Sequence, residues 1–202
     1  MMLQANTYYH VFNHANGFEE LFFEERNYSF FLRKYRKFIS PIADTPVWCL
    51  MPNHFHILIR VKTEEQLLKV YKRFKSYHEL LEAKVLSKAF ANFFSSYSQS
   101  MNKVYKRRGS MFVKSFKRKE IDSPAYLRTI ILYIHLNPVK HRIRQTPNAW
   151  AWSSIHGFAE NEKPLLIDVF GSIEAYYQAH KLRIKDLLHH LDETYTLEIM
   201  YD

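Results

Sequence analysis

The stretch Trp48-Cys49-Leu50-Met51-Pro52-Asn53-His54-Phe55-His56-Ile57-Leu58-Ile59-Arg60-Val61 decides how this chain is read. Apart from its two histidines, the second half has the Ile, Leu, Phe and Val content of a buried strand. Alternate side chains of an extended chain share a face, so His54 and His56 point one way while Phe55 and Ile57 point the other. Imidazoles on one face of an apolar strand need partners, and either a shared metal ion or ordinary core hydrogen bonds would satisfy them. With 11 His in 202 residues, shuffling alone yields about 0.6 His-x-His pairs, so the spacing by itself does not choose. A metal would also need a third and a fourth ligand from elsewhere.

Working outward, Pro46 to Leu50 and His54 to Val61 read as two strands of a hairpin joined through Met51-Pro52-Asn53. Upstream, Thr7 to His14 alternates as a first strand that ends at Ala15-Asn16-Gly17, and Asn27 to Ile39 has helical spacing with a stop at Pro41. Downstream, Leu67, Leu68, Tyr71, Phe74, Tyr77, Leu80 and Leu81 predict one long helix over Glu64 to Ala91. Phe90 to Arg108 predicts a second helical piece stopped by Gly109, and Ser110 to Ile121 a strand with one basic side. Ser123 and Pro124 are an N-cap and a first helical residue, opening a helix that is expected to end at Asn137-Pro138. This order predicts an α+β fold, a ferredoxin-like antiparallel sheet with helices packed on one face. Beyond it, Ile173 to Leu188 reads as a further helix.

Composition narrows the chemistry. Apolar residues make up 47% of the chain and aromatic residues 16%, which excludes a disordered chain. Four glycines leave no Gly-rich phosphate loop, so nucleotide triphosphate chemistry is not expected. A lone cysteine, Cys49, excludes an intrachain disulfide and a thiolate zinc cluster. There is no signal-like N-terminus and no apolar run of spanning length, so a soluble cytoplasmic protein without membrane attachment is expected.

The net charge of +9, together with 14 Tyr and 16 Phe, suits a nucleic-acid binder, with cations for phosphates and rings for unstacked bases. A merely basic, soluble domain has the same balance. The cations that would touch DNA are Lys69, Lys72 and Arg73 on the long helix, Arg107 and Arg108 before Gly109, and Lys114, Lys117 and Arg118 on the following strand. Each also reads as an ordinary solvated charge.

On the helix opened by Ser123, Tyr133 and Asn137 stand four residues apart and share a face with Tyr126 and Ile130. Singly, they read as a core tyrosine and a helix-ending asparagine. Combined with the histidine pair they suggest chemistry: His54, His56 and the Asn137 carbonyl oxygen holding Mg²⁺ or Mn²⁺, with Tyr133 attacking a phosphodiester. A tyrosyl ester conserves the bond energy, so the strand can be rejoined without a nucleotide cofactor. His135 falls on the opposite side of the helix, and His10 and His141 are candidates for a supporting role.

Met51-Pro52-Asn53-His54-Phe55-His56-Ile57-Leu58 resembles the HUH motif of single-tyrosine transposases. Tyr133-Ile134-His135-Leu136-Asn137-Pro138-Val139-Lys140 resembles the tyrosine-bearing helix of the REP-associated tyrosine transposases, and Arg108 to Phe112 and Trp152-Ser153-Ser154 resemble further parts of that group. The resemblance spans roughly residues 5 to 158. It implies an HUH nuclease fold, a divalent metal held by His54, His56 and Asn137, and a 5′-phosphotyrosine link between Tyr133 and single-stranded DNA cut near hairpins. The expected partner is therefore single-stranded or hairpin DNA, with monomer and homodimer both open. Ser115 stands where many members carry Arg. The implied organisation is a transposase domain over residues 1–158 and a C-terminal extension, 159–202, packed on it. A hairpin-binding protein that no longer cuts, and a nuclease that uses water in place of tyrosine, are the alternatives.

Overall fold

The alternating first strand and the His-Phe-His strand pair with each other, and this pairing organises the sheet. In the computed structural model, which describes residues 2–17, 19–113 and 115–182, β1 (Tyr8–His14) lies antiparallel to β3 (His54–Val61), with His14 across from His54 and Phe12 across from His56. β2 (Ala43–Leu50) and β4 (Lys117–Glu120) complete a four-stranded antiparallel sheet in the order β2-β3-β1-β4. Pro46 is tolerated because β2 is an edge strand. The fold is α+β and ferredoxin-like, as the element order predicts.

One face of the sheet carries Phe55, which meets Phe31 of α1 (Glu25–Ile39) and Phe94 of α4 (Val85–Val104). Phe31 also packs edge-on against Phe93 and Tyr97. Such offset and edge contacts between rings add to the stabilisation from burial. The other face of the sheet carries His10, Phe12, His54 and His56, all buried.

Three expectations are corrected. Residues 64–91 do not form one helix but α2 (Glu64–Val70), α3 (Tyr77–Glu82) and the first part of α4. Ser76 starts α3 by accepting a hydrogen bond from the Glu79 N–H, and Lys84 takes a left-handed conformation, φ 53°, just before α4. The Tyr77 hydroxyl accepts a hydrogen bond from the Ala5 N–H at 2.6 Å, a contact with a distant segment that helical spacing cannot reveal. The strand expected over 110–121 is only four residues long, because Ser115 has φ 63°, outside extended geometry. Phe112 makes just an isolated bridge to Ala15.

The third correction concerns α5 (Pro124–Lys140), which continues through Pro138 instead of ending there. Proline removes one backbone donor, but so near the helix end that single loss is tolerated while Ile130 to Pro138 are all buried. Ser123 caps the start, its Oγ accepting from the Tyr126 N–H, with Pro124 in the first turn, both as expected.

The described residues group into two compact units, one within Met1–Pro46 and Leu50–Glu120, the other within Val47–Cys49 and Ile121–Asp202. The second unit contains α5, α6 (Ile155–Asn161), α7 (Lys163–Phe170) and α8 (Ile173–Leu182), with α7 and α8 packed on α5. Residues 183–188 of the expected last helix lie outside the described residues. No helix among those described is long and apolar enough to cross a membrane.

Candidate active site

The first unit carries the histidine pair. His54 and His56 share a face of β3, and β1 adds two more imidazoles beside them. The ring of His14 stacks on that of His54, nearly parallel at 5.2 Å, and Nε2 of His10 lies 3.0 Å from Nδ1 of His56. His54 uses its own Nδ1 toward Oδ1 of Asn53, at 2.8 Å. A carboxamide oxygen only accepts, so His54 carries its proton on Nδ1, and Nε2 is the nitrogen with which it could ligate.

Complete burial, aided by the positive charge of Lys119, holds the His10 pKa down at about 3. His10 is therefore neutral, and its Nε2 can accept from Nδ1–H of His56 when that ring binds a cation through Nε2. Both histidines thus spend Nδ1 on the protein, the arrangement expected of metal ligands.

Among the described residues no three His, Cys, Asp or Glu side chains gather as a metal cluster. A cation here would draw its further ligands from oxygens: an amide, water or phosphate. That donor set fits a hard divalent ion that keeps positions open for substrate.

The second unit carries the tyrosine. Tyr133 and Asn137 lie one turn apart on α5 and are both buried. Lys140 places Nζ 5.3 Å from the centre of the Tyr133 ring. His135, on the other side of the helix, is tied by Nδ1 to the Tyr176 hydroxyl at 2.8 Å and by Nε2 to Ser154 Oγ at 3.0 Å, a structural engagement. His141 caps the end of α5, its N–H donating to the Asn137 carbonyl.

The expected DNA contacts divide. Lys69 is exposed and paired with Glu65, while Lys72 and Arg73 sit in the link between α2 and α3 and not on a helix face. Arg107 forms an ion pair with Glu19 and lies over the Phe23 ring, whereas Arg108 is exposed. Lys114 lies outside the described residues.

Lys117 and Arg118 are on β4, where register decides direction. Lys117 stands across from Phe12 and Lys119 across from His10, so these two lysines join the histidine face. Arg118, across from Val11, points to the opposite face. Sequence reading missed Lys119 and Lys140 and left His10 undecided; the signal for Lys119 and His10 is cross-strand register.

A four-stranded antiparallel sheet in this order with helices packed on it has a solved counterpart. The structure of a REP-associated tyrosine transposase bound to a REP hairpin matches with a TM-score of 0.59 and 15% identity, over 80% of this chain and 84% of that one. This chain has that transposase's fold. No family model matches the sequence, and no curated protein does. At this identity the transposase likeness is one of fold, and the site residues rest on the chemistry above.

Proposed function

We propose that the protein is a metal-dependent single-stranded DNA endonuclease and strand transferase of the transposition type, acting in the cytoplasm at sites near DNA hairpins. The observation that carries this reading is the histidine pair whose Nδ1 atoms are engaged by His10 and Asn53, leaving ligation to Nε2. The transposase fold supports it, because the solved counterpart is bound to a DNA hairpin.

In this reading His54, His56 and the Asn137 side-chain oxygen would hold Mg²⁺ or Mn²⁺, which would supply Lewis-acid neutralisation of phosphate charge. Tyr133 Oη forms a bond to phosphorus, the bond from phosphorus to the 3′ oxygen breaks, and the phenolic proton passes through solvent to that leaving oxygen. The 5′ phosphate stays on Tyr133, and attack by a 3′ hydroxyl reverses the step. Lys140 stabilises negative charge developing on the phenol. Lys117 and Lys119, on the histidine face, attract the phosphate backbone.

The test is incubation with single-stranded DNA carrying a hairpin, with Mg²⁺ or Mn²⁺, followed by denaturing electrophoresis. A covalent adduct is expected for the wild type and none for Tyr133→Phe, which still binds the hairpin; chelator added before the DNA prevents adduct formation. Cleavage retained by Tyr133→Phe, with free 5′-phosphate ends, would assign the attack to water instead.

A further inference from the structure

Within the first unit a groove of about 610 Å³ runs between α4 and the segment from Gly109 to Arg118, a size in the usual range for small-ligand clefts, roughly 300–1,000 Å³. Its apolar wall is the rings of Phe94, Phe112 and Phe116, with Phe94 4.8 Å from Phe112 and 5.5 Å from Phe116. Its polar wall is the amides of Gln99 and Asn102, on one face of α4. At the end of the groove Arg118 lays its guanidinium over the Phe116 ring at 5.1 Å.

Closed aromatic cores do not combine these features. Phe116 is half-buried and Gln99 exposed, so this ring and this amide remain within reach from outside. Asn102 donates from Nδ2 to the Gly109 carbonyl at 2.7 Å, and since that oxygen only accepts, the amide orientation is fixed. Its Oδ1 is then buried without a hydrogen-bond partner, an acceptor that a donor entering the groove would satisfy.

Flat apolar walls, amide groups at one edge and a stacked cation are what an unpaired nucleobase requires. The position of the groove agrees. Asn13 lines it and precedes His14, the residue directly across from His54. The groove therefore opens at the end of the sheet that carries the histidine pair.

We propose that this groove holds one unpaired base of the DNA strand, stacked on the Arg118 guanidinium that covers the Phe116 ring and read at its edge by Gln99 and Asn102, while the adjoining backbone rounds the end of the sheet toward the histidine face. This inference rests on the DNA-processing reading and adds to it the place where single-strandedness is recognised. A base inside a duplex has both faces covered by neighbouring bases, so the groove discriminates against paired DNA.

The test uses the full chain and two probes, a fluorescein-labelled oligodeoxythymidylate and a fluorescein-labelled blunt-ended DNA duplex, which has no unpaired base. Phe116→Ala, which removes the ring that Arg118 lies on, is expected to weaken binding of the single strand roughly 5- to 100-fold, and Gln99→Ala roughly two- to tenfold, with duplex binding unchanged in both. Photocrosslinking of a 5-iododeoxyuridine oligonucleotide to the wild type should label the peptide containing Phe112 and Phe116, which keeps the test decisive if Phe116→Ala does not fold. Unchanged single-strand affinity in Gln99→Ala together with crosslinks confined elsewhere would overturn the groove assignment while leaving the Tyr133 adduct intact. A wild type that binds neither probe overturns the DNA reading and the groove with it.

Discussion

Nε2 of His10 and Nδ1 of His56 lie 3.0 Å apart on adjacent strands, a diagonal pair, since it is Phe12 that stands directly across from His56. His10 is fully buried and neutral, so it fixes the orientation and tautomer of His56 without adding charge beside a cation. His10→Ala is therefore expected to lower Mn²⁺ affinity about 10- to 100-fold by titration calorimetry. Unaltered affinity would mean that His56 is not a ligand or needs no support.

Lys140 sits 5.3 Å from the Tyr133 ring, two turns further along α5. A cation over a ring contributes about 0.5–1 kcal/mol where partly exposed, so Lys140→Ala should slow adduct formation about two- to fivefold, with Lys140→Arg close to wild type. Single-turnover kinetics on the hairpin-bearing strand measures this. Equal rates for all three proteins would remove Lys140 from the reaction.

His180 is buried beside His135 and Tyr176, and burial lowers its pKa, only partly offset by its hydrogen bond to the Tyr176 carbonyl. A histidine whose folded pKa lies below its unfolded value of about 6.5 contributes stability that is present above that value and lost as pH falls beneath it, at up to about 1.4 kcal/mol per pH unit. The melting temperature is thus expected to fall between pH 7 and pH 5, and less steeply in His180→Phe, which keeps a ring in place. Parallel curves for the two proteins would show that other groups carry the acid sensitivity.

The Tyr77 hydroxyl holds the Ala5 N–H at 2.6 Å, joining the start of α3 to the chain ahead of β1. Tyr77→Phe should cost about 1 kcal/mol in urea unfolding, the net worth of one such bond, with no change in the fold. A loss near zero would show that water replaces the hydroxyl without cost.

Local pattern was enough for β1, β3, the shared direction of His54 and His56, and the Ser123-Pro124 start of α5. Period-2 alternation and capping chemistry act over a few residues and leave their mark in the letters themselves. The four-residue interval from Tyr133 to Asn137 belongs to the same class: any helix places both on one face.

The apolar spacing from Leu67 to Leu81 looked equally regular, yet Leu68, Tyr71, Phe74 and Tyr77 are only half-buried and the segment breaks into separate helices. Ser76, the N-cap of α3, is the local mark of that break, whereas the contact of Tyr77 with Ala5, 72 residues away, leaves none. Pro138 gave the opposite error, a local stop signal overridden by burial along α5.

What the sequence by itself determined is therefore the short-range part: which residues are strand or helix and which side chains share a face within one element. Only the tertiary structure decided that His10 reaches His56, that Lys117 and Lys119 join the histidine face while Arg118 joins the groove, and that Arg107 is occupied by Glu19. Those relationships follow from strand order and cross-strand register, which are set by pairing between residues far apart in the chain, and a one-residue slip would have turned each side chain to the other face.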